Sequence, residues 1–208
     1  MNEKTLQEPV KVYVWTDIVC PYCIIGEKLI KEAIDGLDAE LVWMPFELRP
    51  HPTPTLKPED DYLQRAWRTG VYPTAEKNGI DIKLPTVSPQ PYTRLAFIGM
   101  QYAQEKGTAN AYVEALLSAF FQHDKDVGNI AVLKDIAVSV GLSAEEFEAA
   151  LSSTIYINQY DKLKTLPQRL GINSVPSVLI GDQLFAGISD QNSIRNAVLN
   201  ARGKQLSL

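Results

Sequence analysis

Two patterns of hydrophobic residues divide the chain: short apolar runs near both ends, and helical spacing through the middle. Residues 10–15 are rich in β-branched and aromatic side chains, which predicts a buried strand. An apolar face at helical spacing follows over residues 21–34, and a second strand is predicted over residues 40–48. Pro45 cannot donate to a strand ladder, so we expect this second strand at a sheet edge. The chain therefore begins β-α-β.

Apolar residues then recur at helical spacing from residue 59 to about residue 155. Glycine or proline at positions 70, 73 and 79 predicts an end to the first of these helices. Asn129 and Ser143 are the predicted N-caps of two later helices. The predicted helices cover residues 59–69, 92–106, 109–122, 130–140 and 144–151.

The last quarter of the chain returns to a mixed pattern. The predicted elements are a helix over residues 155–170, strands over residues 178–180 and 184–186, and a final helix over residues 191–202. The order of elements is thus β-α-β, a helical segment, and α-β-β-α. This order predicts an α/β fold in two halves, residues 10–52 and 156–208, with an all-helical subdomain inserted over residues 53–155.

Composition and charge narrow the possible functions. The chain has 208 residues, of which 45% are hydrophobic, so it can build one core. Its formal net charge of −5 and its lack of a strongly basic stretch argue against nucleic acid or an anionic membrane surface as partners. Residues 1–9 lack the pattern of a secretory signal, and no apolar run approaches the ~18 residues of a membrane span. We therefore expect a cytoplasmic protein.

The strongest chemical signal is Cys20-Pro21-Tyr22-Cys23, which holds the only two cysteines of the chain and lies between the first strand and the first helix. Positions i and i+3 share one face of a helix, so the two sulfurs can reach each other. Pro21 suits the first helical position because its missing N–H would be unpaired there anyway. Cys20 would then lie at the helix N-terminus, where the helix dipole favours a thiolate. The spacing predicts Cys20 as the attacking thiol and Cys23 as the resolving one.

A zinc site and simple core packing are the alternatives for these cysteines. Zinc usually takes four Cys or His ligands at short paired spacings. The remaining candidates, His51 and His123, are far apart in the chain and form no such pair. A persistent structural disulfide is not expected in a reducing compartment, which favours a catalytic pair. We predict no metal site.

Three other polar residues carry weaker signals. Asp17, three residues before Cys20, can shuttle a proton or tune the thiolate, but a turn or capping role is the favoured interpretation. His51 lies in a proline-rich loop over residues 49–58 and is expected to be solvated. His123 precedes Asp124 in what we interpret as a charged loop.

With the cysteine motif at the first strand–helix junction and Val175-Pro176 before the third strand, the chain resembles the DsbA-like thioredoxin-fold oxidoreductases, and within them the FrnE-type subgroup. The resemblance extends over most of the chain, from residue 10 to residue 201. The stretches that carry it are DIVCPYCIIG over residues 17–26, PFELRP over residues 45–50, EALLSAFF over residues 114–121 and KDV over residues 125–127.

The resemblance implies roles for six residues. Cys20 and Cys23 correspond to the active-site cysteines of the family, and Pro176 corresponds to its cis-proline beside them. A cis X-Pro bond there would let the backbone of Val175 pair with a substrate peptide, as in strand addition. The intervening Pro21 and Tyr22 are expected to contact the substrate as well.

The residue at Tyr22 departs from the pattern of the periplasmic oxidants, which carry His at this position. The motif here is CPYC, as in glutaredoxins. We therefore expect a reduction potential near or below the glutaredoxin range of about −200 to −230 mV, rather than the oxidant value of about −120 mV. The predicted function is a cytoplasmic thiol–disulfide oxidoreductase or isomerase acting on protein or glutathione disulfides. It needs no cofactor beyond a thiol pool such as glutathione.

Two other classes of function remain open. The FrnE-type group resembles hydroxychromene-carboxylate isomerases and kappa-class glutathione transferases, which usually carry serine in place of the attacking cysteine. A glutathione-dependent isomerase or transferase of small aromatic molecules is therefore the alternative enzyme. A binding module is the third class, with Tyr62, Trp67 and Tyr72 as a recognition surface, although we expect these three residues in the core. The sequence does not predict the oligomeric state.

Overall fold

A mixed four-stranded sheet forms the base of the fold. The computed structural model describes residues 8–201. The strands are β1 (Val10–Thr16), β2 (Ala39–Pro45), β3 (Ser177–Ile180) and β4 (Gln183–Ala186). Their order across the sheet is β2-β1-β3-β4, with β1 and β2 parallel and the other two neighbouring pairs antiparallel. Strands from both ends of the chain thus meet at β1.

Strand β1 lies inside the sheet because its residues are apolar on both faces. Val12, Val14 and Trp15 are at most 1% exposed, as is typical of a strand that is covered on both sides. β2 is an edge strand, as the proline within it predicts. β2 ends at Pro45, which pairs with Thr16 of β1, whereas the sequence predicted that the strand would continue to residue 48.

Helices surround this sheet. They are α1 (Pro21–Ile34), α2 (Asp61–Ala66), α3 (Tyr72–Lys77), α4 (Arg94–Glu105), α5 (Ala109–Phe121), α6 (Ile130–Ser139), α7 (Ala144–Ser152), α8 (Thr154–Leu163), α9 (Leu166–Arg169) and α10 (Gln191–Ala201). α1 packs on α10, which also contacts β1 and β3, while α5 and α8 contact β2. This α/β arrangement confirms the predicted fold class. The division at residues 52/53 and 155/156 stays a prediction.

Two predicted helix boundaries were wrong. The predicted break at Gly70 does not occur, because a π-helical turn, Trp67–Val71, joins α2 directly to α3. Pro73 directly follows the π-helical turn, where the regular hydrogen-bond pattern of the α-helix is already interrupted, so its missing N–H is accommodated. In contrast, the single helix predicted over residues 155–170 divides into α8 and α9. Pro167 lies in the first turn of α9 and cannot donate the hydrogen bond that would continue α8.

The predicted N-caps agree with the structure. Asn129 Oδ1 accepts from the N–H of Ala131 at 2.8 Å, and Ser143 Oγ accepts from the N–H of Glu146 at 3.3 Å. The predicted last residue of the final helix, at position 202, lies outside the described residues. Within residues 8–201, no helix combines the length and the apolar character needed to cross a bilayer.

One close approach joins the two ends of the chain near the cysteines. The Val175–Pro176 peptide bond is cis, as predicted. Its proline ring lies against α1 at Gly26, where an added Cβ would come within 2.8 Å of Pro176 Cγ. Gly26 is therefore needed for space, and it lets α1 approach the segment that precedes β3.

Replacing Gly26 by Ala is expected to lower the free energy of unfolding by about 1–3 kcal/mol, because the rigid proline ring must shift. Helix propensity alone predicts the opposite sign, a gain of roughly 0.5–1 kcal/mol. Gly70→Ala is the matched control, since its added Cβ meets only the flexible end of Tyr22. Urea unfolding measures both variants. A Gly26→Ala protein as stable as the wild type would contradict the steric explanation.

Candidate active site

The cysteine motif lies where β1 passes into α1. The N–H of Cys20 donates to the carbonyl of Asp17 at 3.1 Å, which forms the turn after β1. Cys20 itself has extended backbone angles and is the N-cap residue, and Pro21 is the first helical residue. The N–H of Cys23 then donates to the carbonyl of Cys20 at 2.9 Å. Cys20 therefore lies at the helix start, and Cys23 lies one turn inside, as the spacing predicts.

The two cysteines are free thiols in different surroundings. Cys20 is 4% exposed and lines a cavity, whereas Cys23 is 1% exposed and lies behind it. Burial raises the pKa of the Cys23 thiol well above its ordinary value, and the hydrogen bond and charge of the neighbouring Cys20 raise it further. A molecule in the cavity therefore meets Cys20 first.

Two donors oppose the effect of burial on Cys23. The backbone N–H of Asp17 donates to Cys23 Sγ at 3.4 Å. The buried hydroxyl of Thr16 also lowers the pKa of this thiol. Thr16 Oγ1 makes no hydrogen bond within the described residues while both cysteines are thiols, so it is free to donate to a thiolate. Sequence reasoning missed Thr16, because a hydroxyl at the end of a buried strand carries no signal of what it faces.

The segment before β3 forms the other side of the site. The thiol of Cys20 donates to the carbonyl of Val175 at 3.7 Å. The N–H of Val175 has no hydrogen-bond partner within the described part of the chain. The structure thus brings Cys20, Val175 and Pro176 together, as the resemblance implies. Pro176 lies beside α1, and it is Val175 that lines the cavity next to Cys20.

Asp17 ties three parts of the chain together. Its carboxylate accepts from the N–H of Leu48 and from the hydroxyl of Thr93, both at 2.8 Å. Leu48 follows β2, and Thr93 is the N-cap residue of α4. Burial raises the pKa of the Asp17 carboxyl from 3.8 to about 6. These contacts agree with the favoured interpretation of Asp17 as a residue that satisfies turn and cap donors.

The cavity beside Cys20 lies between the sheet and the helices of the middle segment. Its volume is about 320 Å³. Tyr22 forms part of its wall, and a Cβ added to Gly70 in the π-helical turn would come within 2.8 Å of the Tyr22 hydroxyl. The predicted core position of Trp67 is confirmed at 1% exposure, but that of Tyr62 was wrong, since it is 59% exposed. Both residues line the cavity.

The remaining candidates lie elsewhere. Tyr72 is 42% exposed, so its predicted core position was wrong. His51 is exposed and packs edge-on against Tyr92, and His123 is exposed near the carbonyl of Ser118. Neither histidine lines the cavity beside Cys20. Within the described residues, no three Cys, His, Asp or Glu side chains form a group that could hold a metal ion.

The family model of the DSBA-like thioredoxin domain matches residues 11–199. The chain belongs to this family. Over 198 residues it is 39% identical to the uncharacterized protein YwbO of Bacillus subtilis (strain 168), covering 94% of this chain and 99% of that protein. The DSBA-like assignment agrees with the thioredoxin-like arrangement of β1, α1, β2, β3, β4 and α10 around the cysteine motif.

Three solved structures share the fold of this DSBA-like chain. The probable DsbA oxidoreductase SCO1869 of Streptomyces coelicolor has a TM-score of 0.77 at 22% identity, covering 96% of this chain and 92% of its own. A 2-hydroxychromene-2-carboxylate isomerase has a TM-score of 0.71 at 17% identity, with coverages of 93% and 94%. The cytosolic disulfide reductase DsbM of Pseudomonas aeruginosa, solved with GSH, has a TM-score of 0.70 at 14% identity, with coverages of 93% and 98%.

Replacing Asp17 by Asn is expected to remove a pH-dependent loss of stability. The pKa of Asp17 is about 6 in the folded protein against an ordinary 3.8, so the unfolded chain binds fewer protons between these pH values. The free energy of unfolding of the wild type therefore falls as pH rises from about 4 to about 6, by roughly 3 kcal/mol from this group. Asn stays neutral and can still accept from Leu48 and donate to Thr93. Urea unfolding across this pH range compares the two proteins.

The Asp17→Asn variant also tests the alternative role. One carboxylate oxygen of Asp17 accepts from the N–H of Leu48 and the other from the hydroxyl of Thr93, so neither is free to exchange a proton with a thiol. The pH profile of thiol exchange is therefore expected to be the same in the variant and the wild type. A shifted profile would instead support proton transfer by Asp17. Parallel stability curves for the two proteins would contradict the raised pKa.

Replacing Thr16 by Val is expected to raise the pKa of Cys23 further, because the isosteric side chain cannot donate to the thiolate. Displacement of a thiol bound to Cys20 should slow about tenfold near neutral pH. The second phase of the reaction with a chromogenic aromatic disulfide measures this step. Thr108→Val is the control, since the Thr108 hydroxyl bonds the carbonyl of Ala103 instead. An unchanged second phase in Thr16→Val would show that the hydroxyl does not serve Cys23.

Proposed function

We propose that this protein is a cytoplasmic thiol–disulfide oxidoreductase or isomerase of the DsbA type, in the FrnE-type subgroup, acting on protein or glutathione disulfides. The observation that carries this proposal is the unequal pair of free thiols. Cys20 lines a cavity at the start of α1, whereas Cys23 is buried one turn behind it. Exchange through a mixed disulfide needs one thiol that meets the substrate and a second that displaces the product.

The reaction has two steps. The Cys20 thiolate attacks one sulfur of a substrate disulfide, forms a mixed disulfide and releases the other sulfur as a thiolate. Cys23 loses its proton, attacks Cys20 Sγ and releases the second substrate thiolate, which leaves Cys20 and Cys23 joined. Two electrons thus pass from the protein to the substrate, and two thiols of the glutathione pool return them. The reverse sequence donates a disulfide to the substrate.

Substrate binding next to Cys20 is supported by the free backbone of Val175. Its N–H has no partner within the described residues, and its carbonyl lies 3.7 Å from the Cys20 sulfur. A substrate cysteine can pair with these two groups as an added strand would, which places its sulfur beside Cys20. The cytosolic location and the bound GSH of DsbM, a protein of the same fold, are consistent with this assignment.

A second candidate function is supported by the cavity itself. A volume of about 320 Å³ lies in the range of small-molecule sites. The same fold occurs in a 2-hydroxychromene-2-carboxylate isomerase. The candidate is a glutathione-dependent isomerase or transferase of small aromatic molecules. Such a reaction has no use for a buried second thiol, so the presence of Cys23 favours the redox function.

Replacing each cysteine by serine distinguishes the two functions. Cys20→Ser is expected to abolish exchange, because the attacking sulfur is lost. Cys23→Ser is expected to keep the first step and to accumulate a mixed disulfide with the substrate, since nothing displaces it. Mass spectrometry after incubation with oxidised glutathione detects the adduct, and near-ultraviolet circular dichroism confirms that both variants are folded. Full exchange activity in Cys20→Ser would refute the redox function, and turnover of an aromatic substrate by Cys23→Ser would support the isomerase.

A further inference from the structure

The cavity beside Cys20 contains a polar side chain without a protein partner. Gln90 is 6% exposed and lines the cavity. Its backbone N–H donates to the carbonyl of Leu56 at 2.8 Å, but its carboxamide makes no hydrogen bond within the described residues. Its polar atoms are not among the fully enclosed side-chain atoms without a partner, so they face the open space of the cavity. The free carboxamide of Gln90 is therefore a candidate ligand contact.

The walls of the cavity that contains Gln90 are mainly apolar. The residues that line it include the aromatic and aliphatic side chains of Val19, Leu56, Tyr62, Leu63, Trp67 and Val71. Trp67, Leu63 and Val71 are themselves buried at 1%, 7% and 2% exposure, so this wall is preformed. An apolar cavity with a few convergent polar groups is the usual form of a small-molecule site.

Charge within the cavity restricts what can enter. Asp17 and Arg49 are the two charged residues among those that line it. Both carboxylate oxygens of Asp17 are already bonded, and Arg49 is exposed and donates to the carbonyl of Pro54 at 3.3 Å. Arg49 therefore lies at the exposed mouth of the cavity, and no charged side chain with a free hydrogen-bonding atom lines its apolar part. A charged group that entered the apolar part would lose its hydration without gaining a partner, so the part of the ligand bound there is neutral.

We propose that the cavity is a subsite for a low-molecular-weight thiol or disulfide whose substituent is neutral, mostly apolar and bears an amide, with Gln90 pairing to that amide while the sulfur meets Cys20. This inference rests on the proposed function and adds a further class of low-molecular-weight substrate at the same site, beside the glutathione pool that recycles the cysteines. A carboxamide offers both a donor and an acceptor, so it can bond the C=O and the N–H of a ligand amide. The volume of about 320 Å³ is roughly that of ten water molecules, which fits a compact molecule.

Three thiols test the proposal as reductants of the oxidised protein. N-benzoylcysteamine has an amide and a ring, N-acetylcysteamine has the amide alone, and 3-phenylpropanethiol has the ring alone. The first should react at least about tenfold faster than the second, because the ring fills the apolar wall. Gln90→Leu should slow N-benzoylcysteamine about three- to tenfold and leave 3-phenylpropanethiol unchanged. Equal slowing of all three thiols, or no preference for the ring in the wild type, would overturn the proposal.

A binding measurement separates this inference from the proposed function. S-methyl-N-benzoylcysteamine cannot exchange, and its binding to the wild type and to Cys20→Ala is measured by calorimetry. If none of the three thiols reacts but this probe binds more weakly to Gln90→Leu, the proposed function fails and the subsite stands. If the thiols react but the probe does not bind the wild type, the subsite is overturned and the proposed function stands.

Stability provides a second signature of a ligand-binding amide. Gln90→Leu should leave the free energy of unfolding nearly unchanged, because the carboxamide faces the cavity and makes no hydrogen bond within the described residues. Gln101→Leu is the matched control. Gln101 is 7% exposed, but its amide donates to the carbonyl of Phe97 at 3.2 Å and lies outside the cavity. That variant should lose stability and keep the preference for N-benzoylcysteamine. Gln90→Met replaces Gln90→Leu in these measurements if the leucine variant folds poorly. If both Gln90 variants lose stability and bind the probe as the wild type does, the amide has a structural role and the subsite is overturned.

Discussion

Helix α1 and the segment before β3 approach so closely that α1 has no room for a side chain at Gly26. This contact joins residues that are about 150 positions apart in the chain, and it depends on β1 pairing with both β2 and β3. The same approach brings the Cys20 sulfur within 3.7 Å of the Val175 carbonyl. The strand pairing thus creates the site, because it is the sheet that holds the start of α1 and the Val175–Pro176 bond side by side.

The second constraint is the unequal burial of the two thiols. Helical geometry puts Cys20 at the first turn and Cys23 one turn inside, so one sulfur lines the cavity and the other faces the core. Burial in the core raises the pKa of Cys23 well above its ordinary value. The Asp17 N–H and the Thr16 hydroxyl are the polar groups that counteract this effect. The end of β1 therefore both positions the motif and supplies donors that favour ionisation of Cys23.

The helices of the middle segment form much of the cavity beside Cys20. Asp17 connects the turn below Cys20 to Leu48 and to Thr93 at the start of α4, so the helical segment is fastened to the sheet through a buried carboxyl. The π-helical turn brings Trp67 and Val71 to the cavity and places Gly70 against Tyr22. π-Helical turns in α-helices are frequent at functional sites. The cavity belongs to neither part alone, since both contribute walls.

The sequence by itself determined the cysteine motif at the start of the first helix, the order of most elements and the edge position of β2. These features depend on local rules: the spacing of two cysteines around Pro21, the period of apolar residues, and the missing donor of Pro45. The resemblance added Val175 and Pro176, whose proximity to Cys20 the structure confirms. Only the tertiary structure decided the continuity of the helix through Gly70, the exposure of Tyr62 and Tyr72, and the positions of Thr16 near Cys23 and of Gln90 in the cavity. These depend on which side chains of distant segments face each other, and packing across segments leaves no periodic trace in a single sequence.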